Sequence, residues 1–155
     1  MTVSPFMHIA LLVEDIDEAR AAFERRLGVP FTDPFTAEVA DLHDSAGARE
    51  TSVRVAYSTL GSPHYELLEA QDTGIFSREN GLGFHHIGMW ERDCEARRGE
   101  LVRSGLQVEA TSYTSDGQII VAWFKPSPPL GLRVEILDEA LRPEIEALTM
   151  PNSAE

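Results

Sequence analysis

Gly83-Phe84-His85-His86-Ile87-Gly88-Met89-Trp90 decides the fold of this 155-residue chain, because the chain says the same thing twice. Its earlier counterpart is Phe6-Met7-His8-Ile9-Ala10-Leu11-Leu12-Val13, again an apolar run with a histidine on it. Both read as short buried strands. After each comes an aspartate placed to cap a helix, Asp15 and Asp93, and both pairs are 78 positions apart: His8 to His86 and Asp15 to Asp93. Ile16, Ala19, Phe23 and Leu27 follow the first cap at spacings of three and four, with Glu18 in the capping-box position and Gly28 at the stop. The second helix spans Ala96 to Arg103 and ends at Gly105. Each unit then closes on an apolar run with a central glutamate, Tyr65-Glu66-Leu67-Leu68 and Val134-Glu135-Ile136-Leu137.

Between these ends the signals weaken. Val53, Val55 and Tyr57 alternate with Arg54 and Ala56, the pattern of a half-buried strand, and Gly61-Ser62-Pro63 turns into the strand from His64 to Glu69. Gln118 to Phe124 is the matching strand of the second unit, with a turn-rich connection from Pro126 to Gly131. The stretch Thr32 to Glu50 is polar and irregular and reads as a loop or weak strand. Each unit is therefore β-α-β-β-β, with its third strand the hardest to see. The expected layout is a single α+β domain over 1–155, with module one at 6–70, a linker at 71–83, module two at 84–138 and a tail at 139–155. One unit is too small to bury its sheet face alone, so two must pair. The absence of a second crossover helix argues against a doubly wound parallel sheet.

Composition narrows the partners. A net charge of −13, from 26 acidic and 13 basic residues, argues against nucleic acid, whose phosphates draw on clustered Lys and Arg. No stretch approaches the ~20 apolar residues of a membrane span. Residues Met1 to Met7 lack the charged and apolar regions of a signal peptide, so the expected location is cytoplasmic. Cys94, the single cysteine, lies between Asp93 and Glu95, which disfavour its thiolate.

The repeat also acts as a filter on the chemistry. Two imidazoles and two carboxylates brought together suit one divalent metal ion, Zn, Ni, Co, Mn or Fe. Glu66 and Glu69 face opposite sides of a strand, and Glu66 aligns with Glu135 while Glu69 aligns with Asp138. His85 and His86 are adjacent, and the repeat selects His86, leaving His85 to solvent or to a supporting role. His43 and His64 have no repeat partner and read as surface residues.

At these residues the chain resembles the vicinal oxygen chelate superfamily, which includes glyoxalase I, methylmalonyl-CoA epimerase, extradiol dioxygenases and bleomycin-resistance proteins. The similar segments are His8-Ile9-Ala10 leading to Val13-Glu14-Asp15-Ile16-Asp17, then Tyr65-Glu66-Leu67-Leu68-Glu69, Gly83-Phe84-His85-His86-Ile87-Gly88 and Val134-Glu135-Ile136. The His-His-Ile-Gly segment looks closest to the epimerase and glyoxalase I-like branch. The resemblance implies two βαβββ modules paired into an open, curled mixed β-sheet barrel around the metal. It implies His8, Glu66, His86 and Glu135 as the four ligands, Glu66 or Glu135 as the proton-transferring base, and a homodimer.

Three functions follow from that expectation. The first is a metal-dependent isomerase, epimerase or lyase acting through an enolate or enediolate on a small carbonyl compound or thioester. The second is an Fe(II) extradiol-type dioxygenase using His8, His86 and Glu135 as a two-His-one-carboxylate triad, against which Glu66 counts as a fourth ligand. The third is a non-catalytic drug- or metabolite-binding protein, with Trp90, Trp123, Phe124 and Tyr57 as candidate pocket walls. Arg54, Arg78, Arg92, Arg103 and Arg133 are the candidate contacts for a substrate carboxylate or phosphate.

Overall fold

A computed structural model describes residues 4–150, so the first three residues and the last five of the expected tail, 151–155, lie outside it. The first half runs β1 (Phe6–Val13), α1 (Ile16–Leu27), β2 (Phe35–Asp44), β3 (Gly47–Tyr57) and β4 (His64–Glu69). The second repeats the order with β5 (Gly83–Glu91), α2 (Cys94–Arg103), β6 (Val108–Tyr113), β7 (Ile119–Phe124) and β8 (Val134–Asp138). A last helix, α3 (Arg142–Thr149), follows. The caps fall where the sequence placed them: Asp15 accepts from the Glu18 N–H, Asp93 accepts from the Ala96 N–H, and Gly28 takes the left-handed conformation at φ 66°.

The eight strands form one mixed sheet in the order β1-β4-β3-β2-β6-β7-β8-β5. Within each half the outer pair is parallel, β1 with β4 and β5 with β8, and the remaining neighbours are antiparallel. The halves join at two seams. One is the long antiparallel pairing of β1 with β5. The other is two residue pairs between β2 and β6, Leu42 with Ser112 and His43 with Thr111, which carry the curled sheet round on itself.

Period-two alternation sorts the residues between the inside and outside of this barrel. Ala56 and Leu67 point out against Ile16 and Phe23 of α1 and its surroundings, while Val55, Tyr57 and Leu68 point in. Ala122, Val134 and Ile136 point out toward Cys94 and Leu101 of α2, while Trp123 and Leu137 point in. Strands β4 and β8 are thus covered on both faces, which is why their sequences read as nearly unbroken apolar runs.

The structure decides one open expectation and changes two others. Of the two readings of Thr32 to Glu50, strand is the one observed: the stretch holds β2 and the start of β3, a long hairpin turned at Asp44–Gly47. Its strand signal is faint because β2 alternates only between half-buried and exposed positions until Leu42. The linker is more than a tether, since Ile75 and Phe76 are buried in the barrel core. His64 is not a surface residue. It shares the inward parity of Glu66, is buried, and binds the Ser58 carbonyl through Nδ1 at 2.8 Å.

Candidate metal centre

Four inward side chains converge where β1, β4, β5 and β8 lie side by side. His8, Glu66, His86 and Glu135 are all buried, and each offers a ligand atom within 4.8 Å of the other three. Register explains the convergence. Ala10 pairs with both Glu66 and His86, and Gly88 pairs with both His8 and Glu135, so the four fall in one layer across four neighbouring strands. Small residues at the crossing points make the room. A Cβ on Gly88 would lie 2.3 Å from Cε1 of the His8 ring, so only glycine there leaves the imidazole its place.

The polar geometry suits a cation. His8 Nε2 and His86 Nε2 face each other at 2.8 Å, a contact two lone pairs could not hold without a proton or a cation between them. His8 Nε2 lies 3.2 Å from Glu66 Oε2 and 3.7 Å from Glu135 Oε2, and His86 Nε2 lies 3.5 Å from Glu66 Oε2 and in close contact with Glu135 Oε2. Glu66 Oε2 is buried with no hydrogen bond. Ligands held at roughly 2.0–2.2 Å from one ion sit about 3–4.4 Å apart, so this donor set suits a divalent ion once the His8–His86 and His86–Glu135 pairs spread slightly around it.

Each carboxylate is steadied from the strand opposite it. Tyr57 pairs with Glu66 in the β3–β4 register, and its hydroxyl donates to Oε1 at 2.8 Å. Trp123 pairs with Glu135 in the β7–β8 register, and its indole N–H donates to Oε2 at 2.9 Å. Burial, with the negative charge of Glu66 beside it, pushes the Tyr57 phenol well above its usual value, so it remains a donor. In the sequence these two rings stand only as candidate pocket walls; their place opposite the two glutamates in a hairpin is the signal that marks their second role.

His85 is the other residue the sequence left undefined. Residues Ala10 and Leu11 pair with His86 and Phe84, so His85 is the extra residue of a bulge in β5. The bulge suspends alternation, and both imidazoles turn inward. His85 Nε2 lies 2.9 Å from the Ile75 carbonyl, which can only accept, so this nitrogen carries the proton. Burial, with His86 and Arg133 nearby, pushes its pKa down to about 3 and keeps it neutral. Its Nδ1 therefore accepts from the Nδ1–H of His86 at 2.8 Å, and His86 Nε2 is left facing the centre. Burial would lower the pKa of His86 too, but the charges of Glu135 and Glu66 outweigh it and raise it to about 9. Burial likewise works against ionisation of Glu135, and the positive charges of His86 and His8 reverse that, holding the carboxyl far below its usual range.

The remaining candidates sort themselves. Tyr57 and Trp123 line a cavity of about 250 Å³ that opens onto Glu66, His86 and Glu135; Trp90 and Phe124 are buried elsewhere. Arg54 pairs with Asp17 and Glu69, Arg78 with Glu14 and Asp72, Arg92 with Glu139, and Arg133 with Glu109 and the His85 carbonyl. Arg103 is exposed at the end of α2. None of the five lines the cavity. Glu69 points outward and accepts from the Ile16 N–H at the start of α1. Cys94 is buried, and burial pushes its thiol up to about 12.

Residues 7–122 match the family model described as the Glyoxalase/Bleomycin resistance protein/Dioxygenase superfamily. No curated protein matches the chain by sequence. Among solved structures, a methylmalonyl-CoA epimerase variant from Streptomyces coelicolor in complex with 2-nitronate-propionyl-CoA is 18% identical, with a TM-score of 0.62 over 88% of this chain and 95% of that one. The epimerase from Mycobacterium tuberculosis is 15% identical, with a TM-score of 0.61 over 89% and 91%. A methylmalonyl-CoA epimerase in complex with methylmalonyl-CoA and NH4+ is 18% identical, with a TM-score of 0.63 over 97% and 100%. At these identities the likeness is one of fold.

Proposed function

The chain belongs to the Glyoxalase/Bleomycin resistance protein/Dioxygenase superfamily, and from that premise we propose that it is a divalent-metal-dependent isomerase, epimerase or lyase. The reaction is proton transfer at a carbon next to a carbonyl, by way of an enolate or enediolate. The observation that carries the reading is the convergence of two imidazoles and two carboxylates in one buried layer at the wall of a cavity. His8, Glu66, His86 and Glu135 would hold the ion, which when bound supplies Lewis-acid polarisation of the substrate carbonyl.

The protein groups divide the remaining work. Glu66 is the better-placed base, because its Oε2 has no hydrogen bond, whereas Glu135 Oε2 accepts from Trp123 and meets His86. The Tyr57 hydroxyl on Glu66 Oε1 fixes the carboxylate plane, and Oε2, on the side of the two imidazoles, would be the oxygen that takes the proton. His85 and Trp123 keep His86 and Glu135 in orientation. The apolar walls offer water few partners beside the site, which would protect a carbanionic species from adventitious protonation.

Glu66 stands as close to His8 as a fourth ligand would, which counts against the oxygenase reading, where dioxygen and a catechol need that position. The presence of all four donors counts against a purely sequestering role. The test is metal analysis of the purified protein joined to solvent deuterium exchange on a panel of 2-oxo-aldehydes and 2-methyl thioesters. One equivalent of divalent metal, and exchange at the carbon next to the carbonyl, is the expected result. A protein that binds no metal and exchanges no member of the panel is not this enzyme. The same reading includes a homodimer in the cytoplasm, and light scattering checks the first part.

A further inference from the structure

The cavity beside the metal centre is walled by hydrocarbon. Val39, Val53, Val55, Leu68, Val121 and Leu137 supply its sides, and Leu141 and Ile145 of the segment leading into α3 and of α3 itself close over it. Among the described residues that line it, no Lys or Arg appears; the acidic ones are Glu66 and Glu135 at the centre and Glu38, exposed, on β2. The basic residues that could have served an anionic substituent are tied to carboxylates elsewhere, as Arg49 is to Asp44 and Arg133 to Glu109. A carboxylate or phosphate directed away from the metal would be desolvated here with no cation to meet it, at a cost of several kcal/mol.

We propose that the substrate's substituent, the part directed away from the metal, is an uncharged aliphatic or aromatic group. This deepens the reading of the chain as a metal-dependent proton-transfer enzyme, and rests on it. Since an apolar cavity of ~150 Å³ accepts benzene, about 250 Å³ has room for roughly ten non-hydrogen atoms, shared between the reacting carbonyl and its substituent. The substrate class is thus a small 2-substituted carbonyl compound with a hydrocarbon tail. An anionic carrier such as coenzyme A would find no basic wall to bind it.

Alkyl hydroxamates test this directly, because the head offers a divalent metal two neighbouring oxygens while the tail is varied. Dissociation constants are measured by calorimetry on zinc-loaded protein for acetohydroxamate, octanohydroxamate and the monohydroxamate of succinic acid. Each buried methylene strengthens binding roughly three- to fourfold. The octanoyl compound should therefore bind on the order of 100-fold tighter than the acetyl one even if only part of its chain is buried. The succinic compound should bind no tighter than acetohydroxamate. Val121→Asp, which sets a carboxylate in the wall away from the four donors, should erase the preference for the long tail and leave zinc uptake intact. Equal affinity along the series, or tighter binding of the carboxylate tail or of coenzyme A itself, overturns the proposal. The same ranking on metal-free protein separates the two readings. A chain that takes up no zinc yet still ranks these compounds by tail length keeps its apolar cavity and loses the metal chemistry.

Discussion

At the scale of single residues, the site is governed by which nitrogen or oxygen is left free. His86 must lose a proton to become a ligand, and its raised pKa of about 9 sets where that becomes easy. Zinc affinity, read by competition with a chelating dye, should therefore rise about tenfold per pH unit below about pH 9 and level off above it. Without metal the sign is opposite for folding. A histidine raised above its unfolded value contributes stability below pH ~6.5, and that contribution fades as the pH climbs through about 9. His85→Ala removes the acceptor that fixes the tautomer of His86 while deleting no charge, since His85 is neutral; the same titration should show a 10- to 100-fold loss of zinc affinity. Glu66→Gln keeps an oxygen donor but no base. Deuterium exchange should fall by roughly 10²- to 10⁴-fold while metal content holds, a split that merely structural damage would not give.

At the scale of elements, the segment joining the two halves holds the site from behind. The Ile75 N–H donates to Asp44 Oδ2 at the tip of the β2–β3 hairpin, and the Ile75 carbonyl accepts from His85. Asp44 also accepts from Arg49 and from the Ala46 N–H. Gly74, with φ of 81°, packs so tightly under this pair that a Cβ would lie 2.4 Å from Arg49 Nη2. Asp44→Ala strands the Ile75 N–H and frees Arg49, so urea denaturation should show a loss of about 1–3 kcal/mol. Burial resists ionisation of Asp44, but the hydrogen bonds from Arg49, Ile75 and Ala46 prevail and hold its carboxyl low. Its stabilisation is thus present above its unfolded value of 3.8 and is lost as the pH falls through the lower folded value. This clamp was not legible in the sequence. The linker's three glycines and polar residues masked Ile75 and Phe76, and nothing local says that two apolar residues will plug a barrel.

At the scale of the whole molecule, one layer of donors gathers β1 and β4 from the first half with β5 and β8 from the second. An ion held there bridges the halves, so it stabilises the native barrel against unfolding of either. Zinc at 100 times its dissociation constant should add about 2.7 kcal/mol and raise the thermal midpoint as a single transition. Calorimetry with and without chelator measures it; two separate transitions, only one of them shifted, would show that the ion engages one half alone. Among the described residues no helix is long and apolar enough to cross a membrane.

The repeat in the sequence determined the two-unit fold, the helix caps and the choice of Glu66 over Glu69. These follow from hydrophobic period and cap chemistry, which act over a few residues and survive in one dimension. It also marked His8, His86 and Glu135 by their equivalent places. Only the tertiary structure decided the rest. A β-bulge put His85 on the same side as His86, cross-strand register brought Tyr57 and Trp123 onto the two carboxylates, and the folded-in linker supplied the Ile75 carbonyl. His64 turned inward for the same reason that Glu66 did, although it had no partner in the repeat to announce it. Bulges and register are properties of pairs of strands, so no single stretch of this sequence could have stated them.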